Sequence, residues 1–126
     1  MPKEISNKKD SKKEECIFCR IVKKEIPKEF LYEDDNFIVF NDVHPVSEGH
    51  CLIIPKRHYE TILDLPNTLG TELVTIAKKQ SLRLMKEGKA DGIKLVNNNY
   101  HSAGQIVKHF HMHVIPHKEG KMTGHV

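Results

Sequence analysis

Residues 109–115 read His109-Phe110-His111-Met112-His113-Val114-Ile115. In a β-strand, successive side chains point to opposite faces. His109, His111 and His113 then share one face with neighbours roughly 6.5–7 Å apart, and Phe110, Met112 and Val114 share the other. In a helix the histidines would scatter around the axis and the apolar residues would gain no common face. The pattern predicts a strand over residues 108–115, stopped by Pro116, with its apolar side toward a core. Three imidazoles on one face can ligate a metal, as in three-histidine zinc sites. They can also receive an anion, one neutral imidazole attacking phosphorus while its neighbours donate hydrogen bonds, or they can form a polar outer face. Strict alternation opposite a clean apolar face weighs against the last.

The neighbouring segments supply the rest of a sheet. Residues 29–32 and 37–40 are strand-like around the turn chemistry of Asp34-Asp35-Asn36, and residues 50–55 and 93–98 add two more strands. Ile17, Phe18, Ile21 and Val22 suit one face of a short helix over residues 16–24, ended before Ile26-Pro27. Leu69, Leu73, Ile76, Ala77, Gln80 and Leu84 form one stripe of a long helix over residues 66–87, with Pro66 in its first turn and Gly88 at its cap. Five strands joined by hairpins, one short N-terminal helix and one long helix predict an α+β fold with a five-stranded antiparallel sheet.

Composition sets outer bounds. A chain of 126 residues fits one compact domain. Residues 1–14 read MPKEISNKKDSKKE, too polar to offset their ordering entropy, so they are expected to be a solvated tail ahead of a domain over residues 15–126. No apolar run approaches the roughly 18 residues of a membrane span, and the N-terminal segment lacks a secretory apolar stretch. A cytoplasmic protein is expected. The net charge of +3 is spread along the chain rather than gathered in a patch, which suits a small anionic ligand and does not call for a nucleic-acid polymer. Of three cysteines, Cys16 and Cys19 form a C-x-x-C pair and Cys51 stands alone. In a reducing compartment they are not expected to form a disulfide framework.

The alternating histidine run resembles the signature of the histidine triad (HIT) superfamily. Cys16-Ile17-Phe18-Cys19, Glu25-Ile26-Pro27, Phe40-Asn41-Asp42, the run from Gly49 through Pro55-Lys56-Arg57-His58, and Asn98-Asn99 followed by Gly104-Gln105 resemble HIT segments in the same order. The resemblance spans about residues 15 to 117 and points to the nucleotide-binding branch with a C-x-x-C metal site.

That resemblance implies a HIT-like fold and a hydrolase acting at the α-phosphate of nucleoside phosphoramidates or adenylates. His111 takes the place of the nucleophile, forming a covalent nucleotidyl-histidine, and His113 that of a donor to the phosphate or the leaving group. Asn98, Gly104, Gln105, Ile106 and Val107 fall at the phosphate loop. Ile106 stands where some members have serine, which leaves only its backbone to donate. Asp42 matches the ribose-binding acid, and Phe18, Ile21, Phe40 and Val43 match the base pocket. The implied ligand is an AMP-type purine nucleotide. The implied zinc ligands are Cys16, Cys19, His50 and His109, a closed structural set with no metal required for catalysis. A homodimer with a continuous ten-stranded sheet is also implied. A dinucleoside polyphosphate hydrolase and a non-catalytic nucleotide-binding protein are the alternatives. Cys51 is expected in the core. His44, His58, His101, His117 and His125 carry no assigned chemistry.

Overall fold

The computed structural model describes residues 16–120, so the expected tail over residues 1–14 lies outside the described residues. The elements run α1 (Ile17–Val22), β1 (Tyr32–Glu33), β2 (Phe37–Asn41), β3 (Cys51–Pro55), α2 (Gly70–Lys86), β4 (Gly92–Val96) and β5 (Met112–His117), with 3₁₀ turns at Asn67–Leu69 and His101–Ala103. The strands form one antiparallel sheet in the order β1-β2-β3-β5-β4. The expected α+β class and all five strands are present.

β2 and β3 read as unbroken apolar runs because the sheet is covered on both faces. Phe37, Val39, Cys51 and Ile53 pack with Phe110 and Val114 against Leu73, Ile76, Ala77 and Leu84 of α2. Ile38, Phe40, Leu52 and Ile54 pack on the other side against Phe18, Cys19 and Ile21 of α1 and Cys16, which caps it. Each fully buried Phe or Leu contributes about 1.5–3 kcal/mol relative to an exposed one. Cys51 is a core residue, as expected, and burial pushes its thiol up to about 11.

Several boundaries differ from the sequence reading: β1 is Tyr32–Glu33, sharing only Tyr32 with the expected 29–32, and β4 is Gly92–Val96 against the expected 93–98. The long helix starts with a 3₁₀ turn at Asn67–Leu69 capped by Pro66, and its α part begins at Gly70. The last strand begins at Met112 and runs through Pro116 instead of stopping there. Beyond the Cys51–Val114 pair β3 has ended, so β5 has only β4 as a partner there, and a missing N–H on its free side is tolerated. Residues 109–111 lie ahead of the ladder, held by other bonds. The Phe110 amide donates to the Tyr59 carbonyl at 2.6 Å, and Asn97 Nδ2 donates to the His111 carbonyl at 3.1 Å. The alternation of faces persists through this segment: Phe110 is in the α2-side core, and His109 and His111 meet Phe18 of α1.

Candidate active site and metal centre

His111 is 7% exposed, and its ring stands edge-on to Phe18, with centroids 5.2 Å apart. Its Nδ1 lies 2.8 Å from the His109 carbonyl. A carbonyl only accepts, so Nδ1 carries the proton and Nε2 keeps its lone pair. Burial, the largest influence, holds the His111 pKa below the ordinary histidine value. The ring is therefore neutral near pH 7.

His113 sits beside it, ring centroids 5.1 Å apart. Its Nδ1 is 2.9 Å from His50 Nε2 and 3.8 Å from Asp42 Oδ2. His50 Nε2 is also 3.4 Å from Asp42 Oδ2, and the Val46 amide donates to His50 Nδ1 at 3.0 Å. With Nδ1 accepting, neutral His50 carries its proton on Nε2 and donates it to His113 Nδ1. His113 in turn carries its proton on Nε2. Burial, then the neighbouring His111 and His50, depress the His113 pKa to about 4. The face thus presents one imidazole lone pair next to one imidazole N–H.

The expected zinc set is corrected by the position of His50. His50 precedes β3, whereas Cys16 and Cys19 lie at the other end of that strand, where Pro55 meets His109. About 17 Å of extended chain separates the two ends. His58, just beyond Pro55, takes the place. Its Nδ1 is 3.2 Å from Cys19 Sγ and 3.1 Å from His109 Nδ1, and His109 Nδ1 is 3.3 Å from Cys16 Sγ and 3.5 Å from Cys19 Sγ. The donor atoms of Cys16, Cys19, His58 and His109 all fall within 4.8 Å of one another. Tetrahedral zinc at ordinary bond lengths needs ligand atoms roughly 3.3–3.8 Å apart. His109 Nε2 donates to the Pro55 carbonyl at 2.8 Å, which leaves the Nδ1 lone pair aimed into the cluster. Hydrogen bonding from Cys19, aided by His109, His58 and the Cys19 amide, holds the Cys16 thiol far below its usual pKa against the effect of burial. The donor set fits a metal. His50 instead belongs to a second group with Asp42 and His113.

The other expected residues divide. Phe18, Ile21 and Phe40 are buried together, with Phe18 edge-on to Phe40. Val43 is 68% exposed and takes no part in that cluster. Asp42 Oδ1 accepts from the His44 amide at 2.9 Å while Oδ2 faces the two histidines. Gln105 is buried with both ends of its amide engaged: Oε1 accepts from the Tyr100 amide and Nε2 donates to the Glu60 carbonyl, each at 2.6 Å. It braces the loop through these two bonds, which use its Oε1 and one of the two Nε2 hydrogens. Gly104 is left-handed at φ +95°, with Asn98 Nδ2 3.5 Å from where its Cβ would stand. Ile106 is 88% exposed and Val107 half-buried. Asn97, which holds the His111 carbonyl, was not foreseen. Its signal is the Val96–His113 pairing, legible only once the register of β4 on β5 is known.

Residues 23–120 match the HIT domain family. The chain belongs to that family. This HIT domain is 42% identical over 106 residues to an adenosine 5′-monophosphoramidase of Saccharomyces cerevisiae, covering 84% of this chain and 65% of the relative. It is 39% identical over 105 residues to an adenylylsulfatase of Arabidopsis thaliana, covering 83% and 53%. A zinc-bound histidine triad family protein from Mycobacterium smegmatis superposes with a TM-score of 0.84 at 31% identity, covering 89% of this chain and 81% of that one. The five-stranded sheet with one short and one long helix is thus the HIT fold. No helix among the described residues is long and apolar enough to cross a membrane.

Proposed function

We propose that the protein is a nucleotide hydrolase that cleaves at the α-phosphate of nucleoside phosphoramidates or adenylates through a covalent nucleotidyl-His111. The observation that carries this reading is the 2.8 Å bond from His111 Nδ1 to the His109 carbonyl, which leaves a neutral Nε2 lone pair beside the N–H of His113. The names of the yeast and Arabidopsis relatives support the reaction class.

In this mechanism His111 Nε2 forms a bond to the α-phosphorus while the phosphorus bond to the leaving group breaks. With a phosphoramidate, the departing amine takes a proton from solvent. The His111 ring becomes a cation that keeps its Nδ1 proton, so its bond to the His109 carbonyl turns charge-assisted and stronger. His113 Nε2–H donates to a non-bridging oxygen. Water then forms a bond to phosphorus, the phosphorus–Nε2 bond breaks, the water proton goes to solvent, and AMP and neutral His111 result. The purine lies against the apolar cluster of Phe18, Ile21 and Phe40, and Asp42 accepts from the ribose. Asn98 and the backbone of residues 104–107 border the phosphates, and Gln105 serves there as a brace. Zinc, when bound by Cys16, Cys19, His58 and His109, supplies a structural cross-link between α1 and the sheet. Four ligands leave no open position for catalysis.

The same reading makes the protein a homodimer. β4 is an edge strand, and beside it Val74, Leu82 and Leu95 are about half exposed in an apolar groove floored by Leu73, Ala77 and Met112. A second copy placed there would cover the groove and extend the sheet to ten strands.

Phosphorus NMR of adenosine 5′-phosphoramidate with wild type and His111→Ala tests the function. Release of AMP by the wild type alone supports it. A folded wild type that binds AMP without turnover contradicts it, and turnover confined to a dinucleoside polyphosphate moves the assignment to that substrate class.

A further inference from the structure

His109 belongs to two sites at once. Its ring is fully buried between the Pro55 carbonyl on Nε2 and the two thiols and His58 on Nδ1. Its carbonyl is the acceptor that decides which nitrogen of His111 is protonated. Between these two ends lies a single residue of backbone. We propose that the Cys16–Cys19–His58–His109 centre positions the nucleophile: a metal held there fixes His109, and His109 in turn fixes the tautomer and aim of His111. This rests on the metal-centre and nucleophile readings given above.

Two features make the coupling physical. First, residues 109–111 precede the β5 ladder, which starts at Met112, so no regular strand pairing holds them. The ring of His109 is one of their few anchors, with the Phe110 amide on Tyr59 and the Asn97 side chain on the His111 carbonyl. An anchor carries more of the position where the ladder carries none. Second, Phe18 lies between the two cysteines on α1, and its ring meets both His109 and His111 edge-on, at 5.9 and 5.2 Å. The pair of thiols that would hold the metal therefore also sets the wall against which the nucleophile packs. A metal at the centre constrains His111 by two routes, the His109 carbonyl and the Phe18 ring.

A displacement of reacting atoms by about 1 Å costs roughly 100-fold in rate even when the chemistry itself is untouched. Loss of the metal is therefore expected to lower kcat by about 10- to 100-fold with KM nearly unchanged. His109 and Phe18 act here as positioning residues.

The test uses the full chain in three forms: zinc-loaded wild type with its metal content measured, chelator-stripped wild type, and His58→Asn. Long-range proton–nitrogen NMR reads the tautomer of the His111 ring directly, and the sheet amide signals report the fold. The expected result is a single Nδ1–H tautomer in the loaded protein and a mixture of tautomers in the other two. Zinc is expected to restore the loaded signature and kcat to stripped wild type but not to His58→Asn. If stripped wild type loses its fold, His58→Asn, which keeps three of the donors, carries the comparison. Zinc bound with an unchanged His111 signature overturns the coupling and leaves the metal reading standing. Absence of zinc from the wild type overturns both. Unfolding of both altered forms makes the centre a requirement of the whole fold and overturns the positioning role.

Discussion

The Nε2 of His50 lies 2.9 Å from Nδ1 of His113, and the proton between them belongs to His50, because the Val46 amide occupies the other nitrogen of that ring. The pair stands to His113 as the His109 carbonyl stands to His111. One partner accepts and leaves a lone pair, the other donates and leaves an N–H. The two adjacent imidazoles are thereby left presenting one lone pair and one N–H, each set by the group on the ring's other nitrogen.

Replacing His50 removes that bias. His50→Ala is expected to lower kcat by about 10- to 100-fold, the usual cost of losing a group that orients a reacting one. Steady-state kinetics check this. His50→Gln, whose amide can still donate toward His113, is expected to recover part of the loss, and equal loss in both variants would contradict the orienting role.

Stability depends on acid in a defined window. His113 titrates at about 4 in the folded protein and near 6.5 when unfolded, so between these values the unfolded chain binds more protons. Stability is full above pH 6.5 and falls as the pH drops toward 4, by at most about 3 kcal/mol from this residue. His111 and His50, also depressed by burial, act in the same direction. Urea unfolding midpoints at several pH values check it, with His113→Asn expected to flatten the slope relative to wild type.

Gly49, just ahead of His50, is closely constrained. It sits at φ +98°, and an added Cβ would stand 2.7 Å from Leu84 Cδ2 of α2. Gly49→Ala combines backbone strain of about 1–2 kcal/mol with overpacking of about 1–3 kcal/mol. Denaturant unfolding measures the sum. In combination with Leu84→Ala the overpacking part is expected to vanish, so the two changes are expected to be non-additive.

Gln105→Ala separates bracing from substrate contact. It leaves the Tyr100 amide and the Glu60 carbonyl without their partners, at about 1–3 kcal/mol for each buried group not reached by water. Thermal unfolding is expected to register this. A loss confined to kcat with unchanged stability would instead return Gln105 to the phosphate.

Much of this was legible in residue patterns. The alternation at residues 109–115 gave the two faces, and the unbroken runs in β2 and β3 matched strands buried on both sides. The α2 stripe named five residues that are buried, Leu73, Ile76, Ala77, Gln80 and Leu84. Strand register is not encoded in these patterns, and the His50 and His58 positions depend on it. Without the Leu52–His113 pairing, nothing in the sequence says that His50 stands beside His113, nor that His58 is the histidine at the cysteine end. The exposure of Val43 and the internal bonding of Gln105 depend likewise on loop paths, which periodicity does not encode.

In the proposed reaction His111 Nε2 becomes bonded to phosphorus during turnover. The direct measurement is mass mapping of the protein after an alkaline quench of a single turnover with adenosine 5′-phosphoramidate, conditions that preserve a phosphorus–nitrogen bond. An adenylyl group is expected on the peptide containing residues 109–115, localised to His111 and absent from His111→Ala. Turnover by wild type with no adduct on that peptide at any quench time, or an adduct on His113 instead, would contradict it.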